Sequence, residues 1–115
     1  MVANELREAG FDVWMAQESL FVKDGTVEEK RLIYEADITA LKECDVAVAV
    51  LDGIDVECGV AFEIGFAAAL GKLVIGLKTD HRTFSKREDI NLIREGSMKG
   101  IFKLVEEVVE ALKSI

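Results

Sequence analysis

Apolar residues along this chain follow two different rhythms. From Val46 to Leu51, and again from Leu73 to Leu77, they run together without polar interruption and are mostly small or β-branched. That is the pattern of strands covered on both faces in a parallel sheet. Between them, Val60 to Leu70 has the length of a helix and is flanked by Gly59 and Gly71. The β-α-β order implies a right-handed crossover. Upstream, Thr26 with Glu29 three positions later forms a capping-box pattern and predicts a helix running to about Glu43. Glu5 to Gly10 reads as the tail of an amphipathic helix closed by glycine, and Phe11 to Met15 as a short strand. At the far end Leu104, Val105, Val108, Val109 and Leu112 recur at helical spacing, preceded by Gly100 to Phe102, which has the length of an edge strand.

These elements predict one α/β domain over residues 1–115: a single doubly wound, mostly parallel sheet of four to five strands, helices on both faces, flavodoxin-like in layout. In such sheets ligands bind beyond the carboxyl ends of the strands, which directs attention to the segments after Leu51 and Leu77.

Composition narrows the class of ligand. The formal charge of -8 argues against gripping nucleic acid phosphates or an anionic membrane, since both need a basic surface. A small, weakly charged molecule fits better. No apolar run approaches the roughly 20 residues that cross a bilayer, and residues 1–10 lack a signal peptide's apolar segment, so a cytoplasmic location is expected. Cys44 and Cys58 have neither metal-knuckle nor disulfide-scaffold spacing and read as reduced thiols.

Three places resist a purely structural reading. On the helix after Thr26, Asp37 falls in the middle of the arc made by Ile33, Leu41 and Cys44. It either pairs with a backbone amide or with Arg31, or it faces a polar ligand pocket. After the first strand, Asp52-Gly53-Ile54-Asp55-Val56-Glu57-Cys58-Gly59 crowds three acids and two glycines where a ligand is expected. A turn plus a helix N-cap accounts for some of those acids, and a magnesium site lacks an accompanying phosphate-cradling loop with lysine. The third place is Val60 to Leu70, where every side chain except that of Glu63 is apolar or absent. A helix apolar all round is expected to be buried, and Glu63 lies too far along to close a capping box. A partly desolvated carboxylate near a helix N-terminus suits a nucleophile. His81, in a polar loop, takes no catalytic role, and Trp14 and Phe62 read as core or pocket wall.

The ordered set of Asp37, Asp45 eight positions later, Asp52-Gly53, Gly59, Glu63-x-Gly65, Gly71-Lys72, Thr79-Asp80-His81-Arg82 and Asn91-Leu92 resembles the nucleoside 2-deoxyribosyltransferases over roughly residues 30 to 112. The resemblance implies that Glu63 attacks the sugar carbon of an N-glycosidic bond and that Asp37 assists the departing base. It also implies that Asp52, Gly53, Asp55, Glu57 and Gly59 line the nucleoside. Asn91 would reach the sugar's 5′ side in a neighbouring subunit's site, in a homo-oligomer. Nucleoside and nucleobase are the implied partners, with no cofactor and no metal. Glu57 stands where these transferases usually carry Asp, and Asp55 is placed to take over its sugar contact. Family members begin with a strand that the chain lacks, so the domain reads as N-terminally short. Two rivals remain: a hydrolase of deoxynucleoside 5′-monophosphates, whose phosphate Glu57 would repel, and a non-catalytic nucleotide-binding module.

Overall fold

The structure, a computed structural model, describes residues 2–15, 23–83, 85, 86, 88 and 95–115. The chain divides into two compact units, residues 1–43 and 44–115.

The first unit holds helix α1, Val2–Glu8, and helix α2, Val27–Glu43. Gly10 closes α1: it adopts φ +100°, its amide donates to the Arg7 carbonyl at 3.0 Å, and the Phe11 amide donates to the Leu6 carbonyl at 3.2 Å. This arrangement satisfies the last helical carbonyls and needs a residue in the left-handed region. Residues 11–15 then run as irregular chain, which corrects the expected strand. An apolar alternation becomes a strand only where a neighbour supplies ladder hydrogen bonds, and the Val13 carbonyl instead accepts from the Arg7 guanidinium at 2.7 Å. At the start of α2 the Thr26 hydroxyl accepts the Glu29 amide at 3.1 Å, as the capping box requires. The Glu29 carboxylate reaches further back than expected, to the amides of Lys23 at 2.9 Å, Asp24 at 3.2 Å and Gly25 at 3.1 Å. These bonds, Gly25's foremost, hold its carboxyl below the usual range.

The second unit contains strand β1, Val46–Val50, helix α3, Cys58–Ala69, strand β2, Leu73–Leu77, strand β3, Gly100–Phe102, and helix α4, Val105–Lys113. The strands form one parallel sheet in the order β1-β2-β3, with Val46 opposite Leu73, Val50 opposite Leu77 and Ile75 opposite Gly100. The architecture is α/β as read from the sequence, with three strands among the described residues where four to five were expected. Helix α3 packs on β1 and β2, and α4 on β2 and β3. Leu51, Leu77 and Val108 are fully covered, with Val74 and Ile64 nearly so. Burying each such side chain contributes about 2 kcal/mol. Middle strand β2 is buried from Val74 onward, while Val50 at the end of edge strand β1 is 44% exposed. Among the described residues no helix is long and apolar enough to cross a membrane.

Candidate functional site

The segment joining β1 to α3 carries most of the candidate residues, and backbone bonding decides its shape. Gly53 adopts φ +114°, and a Cβ there would lie 3.0 Å from the Asp55 carbonyl oxygen, so the turn requires glycine. Asp55 is exposed, and its Oδ1 accepts the Val56 amide at 2.8 Å. Val56 is buried and anchors the segment before the helix begins.

Glu57 is the N-cap of α3. Its Oε1 accepts the Gly59 amide at 2.9 Å and its Oε2 the Val60 amide at 3.1 Å. These bonds hold the Glu57 carboxyl below its ordinary value, and they start the helix two residues before the expected Val60. Ser, Thr, Asp and Asn are the usual caps, and here a glutamate fills the position, which makes Glu57 one of the acids that the N-cap reading covers. At the other end Gly71 adopts φ +76°, with its amide bonded to Ala68 and the Lys72 amide bonded to Ala67, so α3 is closed at both termini.

Glu63 lies in the middle of α3, half-buried and engaged in a polar contact. Helical spacing puts it on one flank with Val60 and Ala67, beside the buried Ile64. The opposite flank corrects the expectation of a helix buried all round. Phe62 is 53% exposed, Gly65 and Ala69 are exposed, and the rings of Phe62 and Phe66 stack with centroids 5.9 Å apart. The sheet covers one side of α3, and within a single chain the small apolar residues of the other side face outward. Trp14 is likewise 47% exposed rather than core. Both cysteines are free, Cys44 half-buried and Cys58 exposed.

Asp52 turns away from the α3 side of the segment and toward the end of β2. Its Oδ1 accepts the Thr79 amide at 2.7 Å and its Oδ2 the Thr79 hydroxyl at 2.6 Å. Burial pushes this carboxyl up, but the bonds from Thr79 and the Asp80 amide outweigh it and hold the group below its usual value. Lys78 and Asp80 complete this end of the sheet. Lys78 is 1% exposed and donates from Nζ to Asp80 Oδ1 at 2.7 Å and to the Gly53 carbonyl at 3.0 Å. Asp80 Oδ2 accepts the Gly53 amide at 2.6 Å and Arg82 Nε at 2.9 Å. The Lys78 side chain foremost, then the Gly53 amide, hold the Asp80 carboxyl far below its ordinary range. Asp80 was visible only as part of a motif, and a lysine directly after an apolar strand reads from sequence as solvated.

In the first unit, Arg31 pairs with Glu28 and, at 2.8 Å, with Glu35, so it is not the partner of Asp37. Asp37 Oδ1 is buried without a hydrogen-bond partner among the described residues, and burial pushes the Asp37 carboxyl above its usual value. A raised folded-state pKa means the fold favours the acid form. Asp37 therefore costs no stability below the ordinary carboxylate range; the cost grows as pH rises from that range to its folded value and is constant above it. Asp37→Asn should raise the melting temperature at about pH 8, a gain on the order of 1 kcal/mol that vanishes near pH 3.5. Equal gains at both pH values would overturn that assignment. Asn91 lies outside the described residues. Among the described residues, no group of three or more His, Cys, Asp or Glu side chains is placed to hold a metal ion.

Comparisons with known proteins follow the same lines. A conserved protein from Enterococcus faecalis V583 is 26% identical and superposes with a TM-score of 0.82, the match covering 98% of this chain and 85% of that one. The 2-deoxyribosyltransferase of the psychrotolerant bacterium Bacillus psychrosaccharolyticus shares the fold at 24% identity and a TM-score of 0.79, over 93% of this chain and 76% of that one. A CMP N-glycosidase of Clostridium botulinum is 27% identical with a TM-score of 0.52, over 73% of this chain and 74% of that one. No curated protein sequence matches the chain. The family model described as nucleoside 2-deoxyribosyltransferase matches residues 1–110, nearly the whole length, and by that match the chain belongs to the nucleoside 2-deoxyribosyltransferase family.

Proposed function

We propose that this protein transfers 2-deoxyribose between nucleobases, with Glu63 as the nucleophile. Family membership and fold support deoxyribosyltransferase or N-glycosidase-type activity on nucleosides and nucleobases. The observation that carries the finer reading is Glu63 itself, a half-buried carboxylate on a helix whose other residues from Val60 to Leu70 have no ionisable side chain. A Glu63 oxygen attacks C1′ of the deoxynucleoside through an oxocarbenium-like transition state, and the C1′–N bond breaks with its electron pair leaving on the base. The departing nitrogen is protonated by an acid, a role the family resemblance gives to Asp37 and its raised pKa suits. A second base then attacks C1′, giving its N–H proton to the acid left deprotonated by the first step, and the C1′–O bond breaks to free the Glu63 carboxylate. Asp55 and Gly59 are proposed sugar contacts. Asn91 is proposed to act from a second copy, which makes the working form a homo-oligomer.

Glu57 supports a nucleoside over a 5′-monophosphate. A helix N-terminus is a ready anion site, and at α3 the Gly59 and Val60 amides are already taken by the Glu57 carboxylate. Glu57→Ser keeps a good N-cap and removes the resident charge. It should therefore raise kcat/KM for a deoxynucleoside monophosphate relative to the nucleoside by about tenfold. An unchanged ratio would show that the α3 terminus does not face the 5′ side. Hydrolysis of a nucleotide is the second reading, favoured by the likeness to the CMP N-glycosidase.

Incubating the protein with deoxyadenosine, with and without free cytosine, and separating the products by chromatography tests the proposal. Formation of deoxycytidine supports transfer. Adenine released alone means hydrolysis of the nucleoside, no product from either incubation overturns the transfer reading, and release of base from a deoxynucleoside 5′-monophosphate alone supports the second reading.

A further inference from the structure

We infer that Lys78, Asp80 and Asp52 form a brace that positions the segment leading into α3, and through it Glu63; the kinetic part of this inference rests on the reading of Glu63 given above.

Lys78 is the one charged side chain buried among the described residues. Burying an ammonium costs several kcal/mol unless it is paired and its protons are bonded, so such a residue needs a compensating arrangement. Here the arrangement runs across two strand ends. The Lys78 Nζ reaches Asp80 Oδ1 at 2.7 Å, the Gly53 carbonyl at 3.0 Å and the Leu51 carbonyl at 3.5 Å. Asp80 returns a bond to the Gly53 amide, so the N–H and the C=O of this left-handed glycine are both held by side chains from the other strand end. Asp52 reciprocates by accepting the amide and hydroxyl of Thr79. The Lys78 amide also donates to the Phe102 carbonyl at 2.9 Å, which ties the same point to β3.

The consequence lies downstream. From Gly53 the chain runs only through Ile54, Asp55 and buried Val56 to the Glu57 cap, so the position of Gly53 sets where α3 begins. Displacing a reacting group by about 1 Å can cost roughly 100-fold in rate, so a nucleophile on α3 depends on a segment that cannot drift. Asp52, whose two oxygens are both occupied by Thr79, acts in this scheme on the backbone and not on the sugar.

Lys78→Met keeps the aliphatic stem and removes the three donors. In the full-length protein it is expected to speed amide hydrogen exchange over residues 53–60 by about tenfold, with β2 amides little changed, and to lower kcat by about 10- to 100-fold with KM within threefold. Thr79→Val serves if Lys78→Met does not fold, because Thr79 is exposed and only one hydroxyl bond is lost. The same pattern at smaller amplitude, about threefold in each readout, is then expected. A folded variant with wild-type protection of residues 53–60 overturns the brace, as does one whose kcat is unchanged while the wild type is active. If the wild-type protein cleaves no nucleoside, the Glu63 reading fails by itself, and the exchange data still decide whether the brace exists.

Discussion

Glu63→Ala should abolish glycosidic cleavage, lowering kcat by about 10,000-fold or more, while the protein remains folded. The size follows from the chemistry: without the carboxylate no covalent sugar ester forms, and water or a second base must attack an unactivated glycosidic bond. Fold retention follows from the site, since Glu63 is half-buried in mid-helix and alanine has the highest helix propensity. Mass spectrometry of wild-type protein denatured in the presence of substrate should place a deoxyribosyl adduct on the peptide holding Glu63, and the Ala variant should carry none. An adduct on another carboxylate, or an active Ala variant, would sink the assignment.

Gly76→Val should destabilise the sheet strongly, for a reason unrelated to chemistry. A Cβ at Gly76 would stand 2.6 Å from Leu51 Cδ1, 2.9 Å from Met98 Sδ and 3.3 Å from Ile101 Cγ1. Leu51 Cδ1 is the end of its side chain and Met98 Sδ belongs to a flexible one, so alanine can be admitted by small rotations of these two. Valine adds two further carbons in a place where Leu51 is 0% and Met98 9% exposed, and neither can swing into solvent. Overpacking of this kind costs about 3 kcal/mol, which corresponds to a fall of roughly 10 °C or more in melting temperature for a chain this size. Calorimetry measures it directly, and a melting temperature within about 2 °C of wild type would show that Leu51 and Met98 yield more freely than their burial indicates.

The elements legible in the sequence were those whose signal is local. Val46 to Val50 and Leu73 to Leu77 declare themselves by uninterrupted apolar runs, and α2 by Thr26 with Glu29. Gly10 and Gly71 mark helix ends because only a left-handed residue closes a helix in that way. Illegible features depend on partners distant in the chain. Residues 11–15 have the composition of a strand and pair with no strand among the described residues, and the half-outward face of α3 cannot be told from a buried one by periodicity when both faces are apolar. The candidate site divides in the same way. Glu63 stands out because it interrupts an apolar helix, and Asp37 because it interrupts an apolar arc that leaves one oxygen buried and unbonded among the described residues. The crowding of acids at 52 and 57 leaves a turn, an N-cap and a ligand contact open, and only the structure shows that each carboxylate accepts hydrogen bonds at both oxygens within the protein. Lys78 is illegible because nothing in its immediate sequence reveals that Gly53 and Asp80 converge on it.

Among the described residues the three strands are all parallel, so none of them meets its neighbour through a tight hairpin, and each pairing must wait for an intervening segment to close. Strand β1 can find β2 only when the chain between them has shortened, and forming α3 is what shortens it. The Glu57 cap and the Gly71 terminus therefore bear on the speed of folding as well as on the finished helix. The cross-links among residues 51–53 and 78–80 require both strands already aligned, so they are expected to slow opening more than they speed folding. Haste and persistence are in this way assigned to different residues of one short β-α-β segment.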